Sequence, residues 1–210
     1  MPNEASKALM RRLRDPLFAS TYFIGEALDV GAGGDGLSIQ RHHWPLLTHV
    51  REWDMPDGDG QTLATLADDT FDVVHSSHFL EHTRDPLEAL RHQVRVCKPG
   101  GHIVALIPDE DLYEQGVFPS TFNGDHKHTF SIFKARSWSP VHQDLLFLFA
   151  QLGDVVETIK VEQVREGYDW QAPRHDQTGG DAACAIEFVL RKRTARETLF
   201  GGRVGKARYG

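Results

Sequence analysis

The sequence predicts an α/β layered protein whose central strands run parallel. Three observations predict it: apolar β-like runs recur along the chain, helical patterns fall between them, and a glycine cluster follows the first run. In such sheets ligands sit beyond the carboxyl ends of the strands, near the switch in strand order. The loops after Val30, Asp54, Ser76 and Ile107 are therefore where a site is expected.

The elements follow in order. "EASKALMRRLRDPLF" carries apolar residues at Ala8, Leu9, Leu13 and Leu17, near helical spacing, and predicts an N-terminal helix. "EALDV" is a buried strand that runs into "GAGGDG", and "HVREWD" is a second strand ending at Asp54. "FDVVHSS" is a third apolar run. In "DPLEALRHQVRVC", Asp85 is placed to cap a helix that opens with Pro86 and turns Leu87, Leu90, Val94 and Val96 inward. "KPGG" closes that helix and leads into the buried strand "HIVALIP". "SPVHQDLLFLFAQLG" has a Ser-Pro start and a glycine stop, predicting a further helix, and "VVETIKVEQV" and "ACAIEFVLRKR" close the chain as strands. Residues 1–193 read as one domain with a lid-like insertion over 108–138, and 194–210 as a basic tail.

At 210 residues, 40% apolar and 25% charged, the composition fits a globular protein able to bury a core. The net charge of −7 supplies no basic field for nucleic acid, and the basic C-terminal run lacks interleaved aromatics, so it reads as a solvated tail. Two cysteines, Cys97 and Cys184, make a disulfide framework improbable. With no secretory leader pattern and no apolar span of roughly 20 residues, a cytoplasmic location and no membrane partner are expected.

The glycine loop discriminates between nucleotides. A phosphate loop needs a lysine, and none lies between Lys7 and Lys98. Gly31, Gly33 and Gly36 satisfy a dinucleotide pattern, but Asp29 and Asp35 would oppose a pyrophosphate at a helix N-terminus. The charge pattern suits a ligand that presents a cation, such as an amino-acid ammonium carried on an adenosine.

"LDVGAGGDG" followed by "FDVVHSSHFLEHTRDPLEALRHQVRVCKPGGHIVALIPD" resembles the class I S-adenosylmethionine-dependent methyltransferases, in particular the group labelled methyltransferase type 11. The resemblance covers roughly residues 22 to 160. It implies a Rossmann-like, doubly wound, mostly parallel sheet with an antiparallel final strand and helices on both faces, and S-adenosyl-L-methionine as cofactor. It also implies roles for particular residues. Asp29 would organise the loop near the methionine ammonium, and Gly31, Ala32 and Gly33 would let the backbone approach the methionine portion. Asp54 would take the ribose hydroxyls, and Asp59, beside Gly60, would reach the adenine amino group. Ser76, Ser77 and His78 would border the sulfonium. Two departures stand out: Asp35 sits where the family often has glycine, and only 16 residues separate Asp54 from Phe71. That interval is too short for the usual helix and full third strand. Asp29 as a simple turn cap and Asp54 as an exposed strand-end acid stay open as alternatives.

A transferable methyl needs alignment and, for a hydroxyl acceptor, a base. Histidine suits that role near neutrality, although the chain has 12 of them. "PDEDLYEQGVFPSTFNGDHKHTFS" follows a strand end and is long and aromatic-rich, which predicts an ordered lid. His126 is the first candidate base with Asp125 as orienter, His128 the second and His82 the third. Asp109, Glu110 and Asp111 read as a solvated acidic turn, so no metal is expected. The lid wording also resembles methyltransferases of bacterial surface-polysaccharide loci. The expected acceptor is thus a small molecule, a saccharide hydroxyl or similar metabolite. An RNA or protein methyltransferase and a non-enzymatic cofactor-binding domain are the competing readings.

Overall fold

A computed structural model describes residues 4–203. Six strands form the main sheet: β1 (Gly25–Val30), β2 (Leu47–Trp53), β3 (Phe71–Ser77), β4 (Cys97–Pro108), β7 (Val156–Val164) and β8 (Ala185–Lys192). Their spatial order is β2-β1-β3-β4-β8-β7. The pairs β1–β2, β1–β3 and β3–β4 are parallel, whereas β8 runs antiparallel to both of its neighbours. The final strand is antiparallel, as expected. Strand order reverses between β1 and β3, so a crevice opens beyond their carboxyl ends. Among the described residues no strand lies between Trp53 and Phe71, and β2 forms the edge of the sheet. The 16-residue interval is spanned by a helical turn, Met55–Asp57, and a series of further turns, in which the Leu63 amide donates to the Asp59 carbonyl and the Leu66 amide to the Leu63 carbonyl.

Strand residues alternate between two apolar layers, as the period of a pleated strand demands. Leu28, Val30, Val74 and Ile103 face helices α3 (Pro86–Val96) and α4 (Leu145–Gln151). Ala27, Val73, Val104 and Val189 face Phe18, Phe23, Leu37 and Trp44 on the other side. Asp85 caps α3 by accepting from the Leu87 and Glu88 amides, with Pro86 at the first helical position. The helix after β1 is a single turn, α2 (Leu37–Gln40).

Three sequence expectations shift. In α1 (Glu4–Arg14) the inward residues are Ala5, Ala8 and Arg12, while Leu13 and Leu17 are exposed, because Arg12 finds a carboxylate inside. Helix α4 starts at Leu145 under an Asp144 cap and not at Ser139-Pro140. Residues His142–Asp144 form a short strand, β6, paired with β5 (Thr129–Ser131) of the lid. The start of the basic tail is structured: Thr194 and Glu197 form a reciprocal cap on α5 (Ala195–Leu199), and Arg191 and Arg203 both reach Glu157. Residues 204–210 of that tail lie outside the described residues.

Candidate active site

A cavity of about 600 Å³ opens at the carboxyl ends of β1 and β3. Its floor is the glycine loop. Gly31 has φ +71°, and a Cβ there would sit 2.9 Å from the Phe79 ring; Gly33 has φ +52° and open space around it. Both positions need glycine, one for close packing and conformation, the other for a left-handed turn facing the cavity. The Gly33 amide donates to the Asp54 carboxylate at 3.1 Å, and Asp54 also accepts from the Met55 amide at 2.8 Å.

Beneath the loop lies a chain of buried polar groups. Asp29 accepts from the Leu37 amide at 2.5 Å and from His75 Nδ1 at 2.6 Å. His75 Nε2 is 3.1 Å from Arg12 Nη1. Because a guanidinium only donates, Nε2 must accept, so the proton sits on Nδ1 and points at Asp29. Arg12 closes the chain on Glu187 at 2.8 Å. Burial pushes the Glu187 carboxyl up, but Arg12, Arg11 and Lys160 outweigh it and hold it below the usual range.

The opposite wall is built from the turn after β3 and the lid. His78 adopts φ +52°, its amide tied to the Leu106 carbonyl at 2.8 Å. This left-handed backbone, uncommon outside glycine though more accessible to histidine than to β-branched residues, folds the chain back so that His78, Glu81 and His82 all meet the cavity. His78 Nδ1 lies 3.2 Å from Glu81, an ion-pair distance whose angle does not make a hydrogen bond. Burial pushes the His78 imidazole down, yet the Glu81 carboxylate beside it prevails and holds it above the ordinary range. From the lid, His126 is buried, with Nδ1 2.6 Å from Glu114, and its ring packs 5.0 Å from those of Tyr113 and His82. Glu110 organises the lid: fully buried, it is bound by Thr129, Lys134, Ser137 and His142.

Charge on the wall is one-sided. Glu4, Asp29, Asp35, Glu81 and Asp176 line the cavity together with four histidines, and among the described residues no lysine or arginine does. The surface therefore accepts cations and repels phosphates. Both cysteines are buried with thiols pushed up to about 12, so neither offers a thiolate.

Residues 41–105 match the family model described as a methyltransferase domain. A stretch of 58 residues is 38% identical to an uncharacterized methyltransferase of Schizosaccharomyces pombe; it covers 28% of this chain, which spans a fifth of that relative's length. A SAM-dependent methyltransferase from Archaeoglobus fulgidus superposes with TM-score 0.56 at 21% identity over 90% of this chain and 94% of its own. The complex of the Haloferax volcanii Trm112 methyltransferase activator with a methyltransferase gives 0.56 at 15% identity, covering 92% of both chains. The chain has the fold of the class I methyltransferases, and part of it matches a methyltransferase domain. The same fold also carries other chemistry: the [4+2]-cyclase SpnF superposes at 0.53 with 14% identity, covering 90% of this chain and 82% of its own.

On this fold the expected site residues divide. Asp29, Gly31, Ala32, Gly33, Ser77, His78, His82 and His126 line the cavity. Asp54 stands just behind the loop, bonded to it. Gly60 packs against Phe79 and Val30, leaving no room for a side chain. Asp59 is exposed outside the cavity wall, with one oxygen 2.7 Å from Arg84 and the other 2.9 Å from the Gln61 amide. Ser76 points away into the sheet, buried, with its hydroxyl unpartnered. His128 is off the wall, its Nε2 3.2 Å from the Arg84 carbonyl. Asp125 does not orient His126: Glu114 holds that ring, and Asp125 sits 3.1 Å from His82 Nδ1. The acidic turn is solvated only at Asp111, since Asp109 is buried and caps its own turn and Glu110 is the buried centre of the lid. Sequence reasoning missed Glu4, His75, Glu114 and Asp176. Glu114 alone carried a local signal, as an acid within the lid.

Proposed function

We propose that the protein transfers a methyl group from S-adenosylmethionine to a hydroxyl of a small, neutral, polar acceptor such as a saccharide. The observation that carries this is the wall chemistry: carboxylates and imidazoles converge beyond the strand ends, with a glycine cradle on one side and an aromatic lid on the other. The residues fit the cofactor, because the loop is open at Gly33 and an acid-lined floor suits an ammonium and a sulfonium. When bound, the cofactor supplies a methyl already activated on a positive sulfur.

The chain's own residues do the rest. Gly31, Ala32 and Gly33 admit the methionine portion, and Asp54 accepts from the ribose hydroxyls. Asp59 reaches adenine by releasing Arg84, which is itself exposed. Ser77 and His78 border the sulfur. Tyr113 and Phe122 of the lid exclude water over the acceptor. His126 takes the acceptor's hydroxyl proton at Nε2, the nitrogen left free once Glu114 occupies Nδ1, and Glu114 stabilises the imidazolium that results. The one-signed wall disfavours a phosphate-rich RNA acceptor.

Calorimetric titration with S-adenosylhomocysteine tests the reading. One site per chain is expected, weakened by ~1.5–3 kcal/mol in Asp54→Ala, the range for a charged hydrogen bond left unmade. An absence of binding overturns the cofactor, and an unchanged affinity in Asp54→Ala removes Asp54 from the ribose.

A further inference from the structure

We propose that Glu81, His82 and His126 form a binding site for a divalent first-row transition ion, with Zn²⁺ or Mn²⁺ as the fitting class. One donor atom from each of the three lies within 4.8 Å of the others. Three features show that the cluster is built for an ion and is not a chance meeting of polar groups.

The first is Glu81. Its side chain is fully buried, and neither carboxylate oxygen has a hydrogen-bond partner. The His78 ring stands 3.2 Å from one oxygen without hydrogen-bonding it, so the buried carboxylate keeps lone pairs open to a further cation. The second is the state of the two rings. His126 Nδ1 sits 2.6 Å from Glu114 and His82 Nδ1 3.1 Å from Asp125, so each ring has a carboxylate on the same nitrogen. Metal-binding histidines characteristically have such a partner, which fixes the tautomer and leaves the Nε2 lone pair free. His82 Nε2 already faces Glu81 at 3.9 Å. The third is the origin of the ligands. Glu81 and His82 are neighbours on one turn, and His126 comes from the lid, whose Lys127 and His128 amides donate to the Glu81 carbonyl. An ion here would clasp the lid to the sheet.

The donor set selects the ion. Two imidazoles and one carboxylate suit zinc, manganese or iron; magnesium and calcium demand mainly oxygen. Three protein ligands leave positions open, and the cluster lies on the cavity wall, so a water or an acceptor oxygen can occupy them. In that arrangement His126 Nε2 is a ligand, and the ion performs the activation assigned above to the free imidazole. The binding of the ion stands without the methyl-transfer reading; only its contact with an acceptor rests on it.

The test is elemental analysis of the purified full chain, followed by titration of chelator-stripped protein with Zn²⁺ and with Mn²⁺, beside a separate titration with S-adenosylhomocysteine. One ion per chain is expected. Its affinity should collapse in Glu81→Gln and in His82→Ala, and fall about tenfold in Glu114→Gln, the usual size for loss of a ring's supporting carboxylate. His82 is partly exposed, so its variant keeps the test valid if Glu81→Gln fails to fold. Substoichiometric metal with no heat of binding, in protein that still binds S-adenosylhomocysteine, overturns the site. So does zinc binding that none of the three variants alters. Zinc bound and lost as expected in protein that ignores S-adenosylhomocysteine upholds the ion and refutes the cofactor instead.

Discussion

Arg12 shows what single residues do beneath the cavity wall. It carries a permanent charge with no exposure, and it joins Glu187 of the last strand to His75 and, through that ring, to Asp29 under the glycine loop. Each member satisfies the next, which is the condition for burying charge at tolerable cost. Arg12→Met should therefore destabilise the fold by about 3 kcal/mol, the low end for breaking a buried pair, since Arg11 and Lys160 still reach Glu187. Urea denaturation measures it, and an unchanged midpoint would show that His75 and Asp29 hold the loop unaided. Asp29 was legible in the sequence because it precedes glycines at a strand end. Arg12, His75 and Glu187 were not, because an inward charge on an apolar strand or helix announces itself only through a partner more than 60 residues away.

At the scale of elements, α1 is a cover for the site. Its Ser6 amide donates to Asp35 of the glycine loop at 2.9 Å, and Lys7 joins Glu4 at 2.9 Å to the Thr178 carbonyl at 2.5 Å. Glu4, Ala5, Asp176 and Thr178 thereby close one side of the cavity. Lys7→Ala should weaken S-adenosylhomocysteine binding by about 1 kcal/mol, roughly fivefold, as one net hydrogen bond is lost. A calorimetric constant equal to that of the parent chain would show that α1 is not part of the site. The helix itself was legible as an element, but its inward face and its task were not, since Leu13 is exposed, Arg12 is buried, and contact with residues 176–178 is set by tertiary packing. The lid was legible for its position and length. Its internal order was hidden, because Glu110 looks like one more surface acid until Thr129, Lys134, Ser137 and His142 are folded around it.

For the whole molecule, the shortened interval between Asp54 and Phe71 was legible, since 16 residues cannot hold a helix and a full strand, whereas the order of the strands is set by their long-range pairing. The acid response of the fold depends on burial, which the sequence does not spell out. His102 on β4 is buried against Tyr22, with Arg191 paired across from it, and burial first and the arginines second push its imidazole down to about 4 from 6.5. The unfolded chain thus takes up this proton first as pH falls. Its contribution to stability is complete above 6.5 and is lost between 6.5 and about 4. A shift of that size corresponds to about 3 kcal/mol at most. Burial pushes the Glu187, Glu110 and Asp72 carboxyls up, but the arginines around Glu187, Lys134 and hydroxyls around Glu110, and the Glu26 amide with Lys98 at Asp72 hold all three below their ordinary values. Their contribution is present above the unfolded carboxylate range and disappears only as pH drops through it, so acid acts on the fold in two stages. Urea midpoints should fall from neutrality to about pH 5 in the parent chain and fall much less in His102→Gln, which has no proton to gain. Parallel declines in the two proteins would assign the upper stage to another buried imidazole and leave His102 a neutral packing residue against Tyr22.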